Sequence, residues 1–148
     1  MFGQDRSSLR AVFFNAWTKH QAKQSLEPLE KQIVALLLEH PEYHAALTDR
    51  DQHGDRDYQA EAGETNPFLH LSLHLAIRDQ AAIDRPPGIR AVMSALTAAT
   101  GQPHDAEHLA MEQLGQALWE AQRSGTQPDE NVYLARLKKL AHRLGQSV

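Results

Sequence analysis

The sequence predicts an all-α protein: a compact bundle of about six helices with one long acidic loop, in a single domain over residues 1–148. Three observations carry this. Apolar residues recur with the helical period almost throughout, and no segment alternates for long enough to make a convincing strand. Proline, glycine, asparagine and serine fall between the periodic segments, where helices start and stop. The chain has 148 residues, 41% of them apolar and 23% charged, which suits one soluble globular domain large enough to bury a core.

Each element is justified by its own residues. The first helix is expected over about 7–22, capped by Ser7 or Ser8, with Leu9, Val12, Phe13, Ala16 and Trp17 as its apolar stripe. The second begins near Glu27 and carries Leu29, Ile33, Leu36 and Leu37. Pro41 lacks an amide hydrogen and clashes with the preceding turn, so this helix stops or kinks there, with a short continuation to about Leu47. "DRDQHGDRDYQAEAGET" (49–65) has six acids, two arginines and two glycines and little to bury. It is expected to be a long polar loop, either a solvated insertion or a lid over a site.

Asn66-Pro67 reads as an N-cap followed by proline at the first helical position, opening a third helix to about Ile83. "DRPPG" (84–88) is a stiff connector. A fourth helix runs from about Ile89 to Thr100 and stops at Gly101. Pro103 opens a fifth, to about Ser124, and after the turn "SGTQPDE" a sixth covers about 129–144.

Composition removes several function classes. The formal net charge is −4, which does not favour a nucleic-acid surface, and "RLKKLAHR" (136–143) reads as a solvated helix face without interleaved aromatics. The absence of cysteine excludes disulfides and thiolate metal sites. "MFGQDRSSLR" lacks the apolar core of a secretion signal. The longest aliphatic run, "IVALLL" (33–38), is too short to span a bilayer. The expectation is a cytoplasmic protein with no membrane partner.

The outlier is histidine, nine residues in all. Six of them form three pairs at spacing i, i+4: His40/His44, His70/His74 and His104/His108. On a helix such residues share a face, roughly 6 Å apart at Cβ, so two imidazoles can converge on one ion. "NPFLHLSLHLAI" (66–77) places His70 and His74 in a run that is apolar on nearly every side. A helix of that kind is an interior one. A buried polar group without a partner costs roughly 1–3 kcal/mol, so something must satisfy these rings. "HDAEHLAMEQLGQALWEAQ" (104–122) places His104, His108 and Glu112 at successive i+4 steps, on a face with Gly115 and Trp119. Gly115 is read there as room for a neighbouring helix to come close.

The expected metal ligands are therefore His70, His74, His104, His108 and Glu112, holding a divalent iron, manganese or zinc ion. No organic cofactor is evident. His40 and His44 remain open, as further ligands or as a cap at the Pro41 kink. The HExxH zinc motif is absent, since "HLSLH" has no glutamate between its histidines.

The strings "NPFLHLSLHLAIRDQ", "DRPPGIRAV", "HDAEHLAMEQLGQALWEAQRSG" and "HPEYH" resemble an uncharacterised proteobacterial family, domain of unknown function 1841, over about residues 8–135. The resemblance implies a small bacterial protein and supplies no activity. Histidine-rich bundles of the hemerythrin type are similar in how a helix presents its ligands. Their helix order and full ligand pattern differ, and the analogy stays at the level of the fold.

Two functions compete at this level. One is a metal-binding bundle, which would be an enzyme if the ion activates water or oxygen. Its substrate is unknown and no catalytic residue is assigned. Glu107 is then a candidate base or outer partner of a ligand, and Arg78, Arg85 and Arg90 either hold an anionic substrate or pair with Asp79 and Asp84. The other is a non-enzymatic interaction or regulatory protein whose buried histidines form a structural hydrogen-bond network. Trp17, Trp119 and Phe13–Phe14 would then anchor a partner or a homodimer, or simply pack the core. A pH-sensing bundle is a third reading, since clustered histidines repel once protonated.

Overall fold

The protein is described by a computed structural model over residues 6–58 and 66–148. It is all-α, with no strand among the described residues. There are eight α-helices among these residues: α1 (Arg6–Gln21), α2 (Pro28–Leu38), α3 (His44–Thr48), α4 (Arg50–His53), α5 (Pro67–Ile83), α6 (Ile89–Thr100), α7 (Pro103–Ser124) and α8 (Glu130–Arg143). Six of them are those read from the sequence. The two short ones, α3 and α4, are additions, with a single 3-10 turn, Pro41–Tyr43, leading into α3. The chain divides into two compact units, Met1–Ser72 and Leu73–Val148, with the division inside α5.

In the first unit α1 packs on α2 and α3. Phe13, Phe14, Ala16 and Trp17 of α1 are buried, as are Ile33, Val34, Leu36 and Leu37 of α2 and Phe68 and Leu71 of α5. The Phe68 ring lies 6.0 Å from Phe13 and 5.4 Å from Phe14, so the two adjacent phenylalanines close on one partner. The expected stripe is thus shifted: Val12 is exposed and Phe14 takes its place. Ser7 and Ser8 lie inside α1 rather than before it. The side chain of Leu9 lies outside the described residues. Leu29, in the first turn of α2, is exposed.

Glu27 caps α2 in a reciprocal box, its own amide donating to Glu30 Oε1 at 2.8 Å. That bond, with the ammonium of Lys19 at 3.1 Å, holds the Glu30 carboxyl below its usual range. The helix ends at Leu38, three residues before Pro41, as the proline requires.

The expected loop 49–65 is partly helical. Asp49 accepts from the Gln52 amide at 3.0 Å and so caps the single turn of α4. Arg10 of α1 anchors the end of α4 and the residues just beyond it. Its Nη1 donates to the carbonyls of His53 at 3.0 Å and Arg56 at 2.9 Å, and its guanidinium carbon lies 4.6 Å from the Phe68 ring centre. A cation seated on an aromatic face and bonded to carbonyls satisfies both its charge and its donors. Residues 59–65, the remainder of the expected loop and of any lid, lie outside the described residues.

In the second unit α6, α7 and α8 pack on one another. Ile77 of α5 joins a core of Ile89, Val92, Leu96, Met111, Leu137 and the alanines 106, 110, 117 and 141. Small side chains on α7 and α8 let these helices approach. Tyr133 is buried with them, and its hydroxyl donates to Gln80 Oε1 at 2.8 Å. A bidentate pair, Arg136 to Glu120 at 2.8 and 2.9 Å, ties α8 to α7 on the surface. The "RLKKLAHR" stretch turns Leu137 and Ala141 into the core, with Leu140 packed at its edge, and its Lys139 and Arg143 are exposed.

The "DRPPG" connector is organised by Asp84, which sits at φ 54. Its Oδ1 accepts from the amides of Gly88 at 3.2 Å and Arg90 at 2.9 Å and so satisfies the first turn of α6. Gly88 has φ 103 and Gly101, at the other end of α6, has φ 88; both are left-handed positions that favour glycine. Arg90 Nε and Nη2 donate to the carbonyls of Ala81 and Ala82 at 2.9 and 2.8 Å and close the end of α5. No helix among the described residues is long and apolar enough to cross a membrane.

Two outcomes are expected. Leu137→Ala removes a fully buried side chain and costs about 2–5 kcal/mol in denaturant unfolding, whereas Val132→Ala on the exposed side of α8 changes it by about 0.5 kcal/mol or less. The amide bonds from Arg90, and then Gly88, hold the Asp84 carboxyl below its ordinary value of 3.8. The stabilisation is therefore fully present above that value and is lost as the pH falls through the lower folded one. Asp84→Asn keeps an acceptor oxygen without the charge, so its unfolding midpoint should vary less than wild type between about pH 6 and about pH 3.

Candidate metal centre

In α5 the buried positions Phe68, Leu71, His74 and Ile77 recur every three residues, a step that drifts about 60° around the axis each time, so the buried line winds around the helix. His74 occupies a core position in that line and is fully buried. Its Nδ1 is 2.8 Å from Glu107 Oε1 on α7. A carboxylate only accepts, so Nδ1 carries the hydrogen. In a neutral ring, Nε2 is then the nitrogen with the lone pair. The partner thus fixes both the tautomer and the ring's orientation.

Arg78 stands one turn beyond His74 on the same helix. Its Nε donates to both Glu107 oxygens, at 3.2 and 3.0 Å. Burial pushes the Glu107 carboxyl up, but the bonds from His74 and Arg78, with the nearby charge, outweigh it and hold the group below the usual carboxylate range. Glu107 is therefore an anion at neutral pH, only 9% exposed, between two donors.

On α7, His104 and His108 are one turn apart, with ring centres 4.3 Å from each other. Each lies 4.9 Å from the ring of His74. One ligand nitrogen from each of the three imidazoles lies within 4.8 Å of the others. A metal takes histidine nitrogens at about 2.0–2.1 Å, which places tetrahedral ligands about 3.4 Å apart.

The expected ligands are thus divided. His74, His104 and His108 come together. His70 is half-buried in the first unit, its ring 5.0 Å from His40 and 5.7 Å from Tyr43. Glu112 is exposed, and the carboxylate brought to the histidines is Glu107. The inward line of α7 is Ala106, Glu107, Ala110, Met111, Leu114, Ala117 and Ala121. His104 and His108 stand at its edge, and the i+4 series through Glu112 and Gln116 turns away to solvent, as does Trp119, 52% exposed. No neighbour lies within 4 Å of a Cβ built at Gly115, so it marks no close helix approach. The spacing of Glu107 with Ala110, Met111 and Leu114 was the signal for its burial. Likewise, the four-residue step from His74 to Arg78 signalled their shared partner.

His40 and His44 both bond the end of α2 in the first unit. His40 Nδ1 donates to the Leu36 carbonyl at 2.9 Å and His44 Nε2 to the Leu37 carbonyl at 2.6 Å. These are end carbonyls of α2, which also accept from the Glu39 and His40 amides, so each imidazole adds a second donor there. The His44 ring also lies tilted against Trp17, 4.4 Å between ring centres. Of the three arginines, Arg78 pairs with Glu107 and Arg90 closes α5, while Arg85 lies 3.8 Å from Glu130 at the surface.

Residues 5–139 match a protein family described as "Domain of unknown function (DUF1841)". No curated protein and no solved structure matches the chain.

Replacing Glu107 tests the arrangement directly. Glu107→Ala leaves His74 Nδ1 and Arg78 Nε without their acceptor and is expected to cost about 1–3 kcal/mol in denaturant unfolding. Glu107→Gln keeps one acceptor oxygen and should lose less.

Proposed function

The chain belongs to the DUF1841 family, and we propose that it is a metal-binding helical protein whose centre is His74, His104 and His108. The observation that carries this is the convergence of three imidazole nitrogens from two helices within 4.8 Å. The donor set suits zinc, iron or manganese, and the absence of cysteine leaves imidazole and carboxylate as the available ligands. Glu107 supports the same reading. Metal-bound histidines donate their second ring nitrogen to a carboxylate or carbonyl, which orients the ring and raises its basicity. The His74–Glu107 bond has that form. Two of the five ligands expected from the sequence, His70 and Glu112, are left out of the proposed set. A divalent ion held here supplies Lewis acidity, and any enzymatic use of it, on an unknown substrate, rests on that property.

A second reading has its own observation. Glu107 takes hydrogen bonds from both His74 and Arg78, so the cluster also works as a purely structural polar network across α5 and α7. An interaction or regulatory protein would need no more.

Metal content separates the two. Untagged protein purified without chelator should carry zinc, iron or manganese near stoichiometry by mass spectrometry. His104→Ala, at a half-buried position, should lose it, as should His74→Ala. Glu107→Gln should weaken metal binding by about 10–100-fold. Metal-free protein whose unfolding midpoint is unchanged by added zinc, iron or manganese would favour the network.

A further inference from the structure

The second unit also contains a cleft of about 430 Å³ among α5, α6 and α7. Ile77, Met93 and Pro103 make its wall apolar, and Arg78 and Arg90 bring two guanidinium groups to it, against the single acid Glu107. We propose that this cleft binds a small amphiphilic anion, a carboxylate or phosphate monoester with a short apolar tail. The formal charge of these side chains is +1, and the one carboxylate is committed to His74 and Arg78.

The Arg90 guanidinium is anchored by main-chain carbonyls, with the Asp84 carboxylate nearby and bonded to the Arg90 amide. The carbonyls of Ala81 and Ala82 take two of its five N–H donors and hold the guanidinium over the end of α5. A fixed planar cation beside an apolar wall suits a ligand with a charged head and an oily body. Glu107 lines the cleft on one side and holds His74 on the other. The bound anion therefore sits next to the histidine cluster, whether or not that cluster holds an ion.

The test uses the full chain after chelator treatment, so that its outcome is independent of the metal reading. The probes are hexanoate and n-butyl phosphate, with 1-hexanol as the neutral control. The methyl resonance of Met93, followed by carbon-13 NMR, reports occupancy. At least one of the anions should shift it saturably, and the tighter of the two identifies the head group; hexanol at equal concentration should not shift it. Arg90→Gln should weaken binding by about tenfold or more through loss of a charged donor. Ser94 lines the cleft at an exposed position of α6, so Ser94→Phe should block it while circular dichroism shows unchanged helix content. Absence of a saturable shift with either anion would overturn the proposal. So would hexanol binding as tightly as the anions, or anion binding that survives both substitutions.

Discussion

The carboxylate of Glu107 is the contact on which the second unit's polar interior depends. It lies inside the inward line of α7 and faces a fully buried imidazole and a guanidinium on α5. An isolated buried carboxylate is too costly to persist as an anion. Two donors one helical turn apart reverse the balance, and Arg78 and His74 are placed four residues apart to supply them. The pairing couples α5 to α7 through directed bonds, which apolar packing alone does not provide. It also sets which nitrogen of His74 is left to face the other two imidazoles, and the proposed metal centre rests on that tautomer.

The same economy recurs in the first unit with different partners. Arg10 is buried, yet its donors go to carbonyls at and just beyond the end of α4, and its face rests on Phe68. His40 and His44 donate to the last carbonyls of α2. These are all polar groups in or near an apolar core, and each is satisfied by backbone that a helix end or an irregular segment leaves open. Equal spacing in the sequence therefore hides different work. The His40/His44 pair closes a helix, while the His104/His108 pair converges with His74.

α7 shows why periodicity alone misplaced one acid. Its histidines recur at i+4, and extending that step leads to Glu112. A straight helix advances about 100° per residue, so a strict four-residue step drifts around the axis by about 40° each time. After two or three such steps the series has left the buried face, and Glu112 and Gln116 are exposed. The three-and-four alternation of Glu107, Ala110, Met111 and Leu114 stays on it.

The sequence by itself determined the helical class and most helix limits. Asn66-Pro67, Gly101 and Pro103 act through the dihedrals and hydrogen bonds of their own neighbours, and such local effects are written in local spacing. It also marked histidine as the residue type to follow and named Glu107 as a partner. Tertiary structure alone decided which histidines meet. The distance between α5 and α7, and the rotation of each about its axis, depend on how Ile77, Met111, Leu114 and the alanines pack. Those contacts join residues remote in the chain, so no reading of one helix at a time contains them. For the same reason His70, four residues before His74, could not be separated from it by pattern: only the packed neighbours of each turn distinguish the two rings.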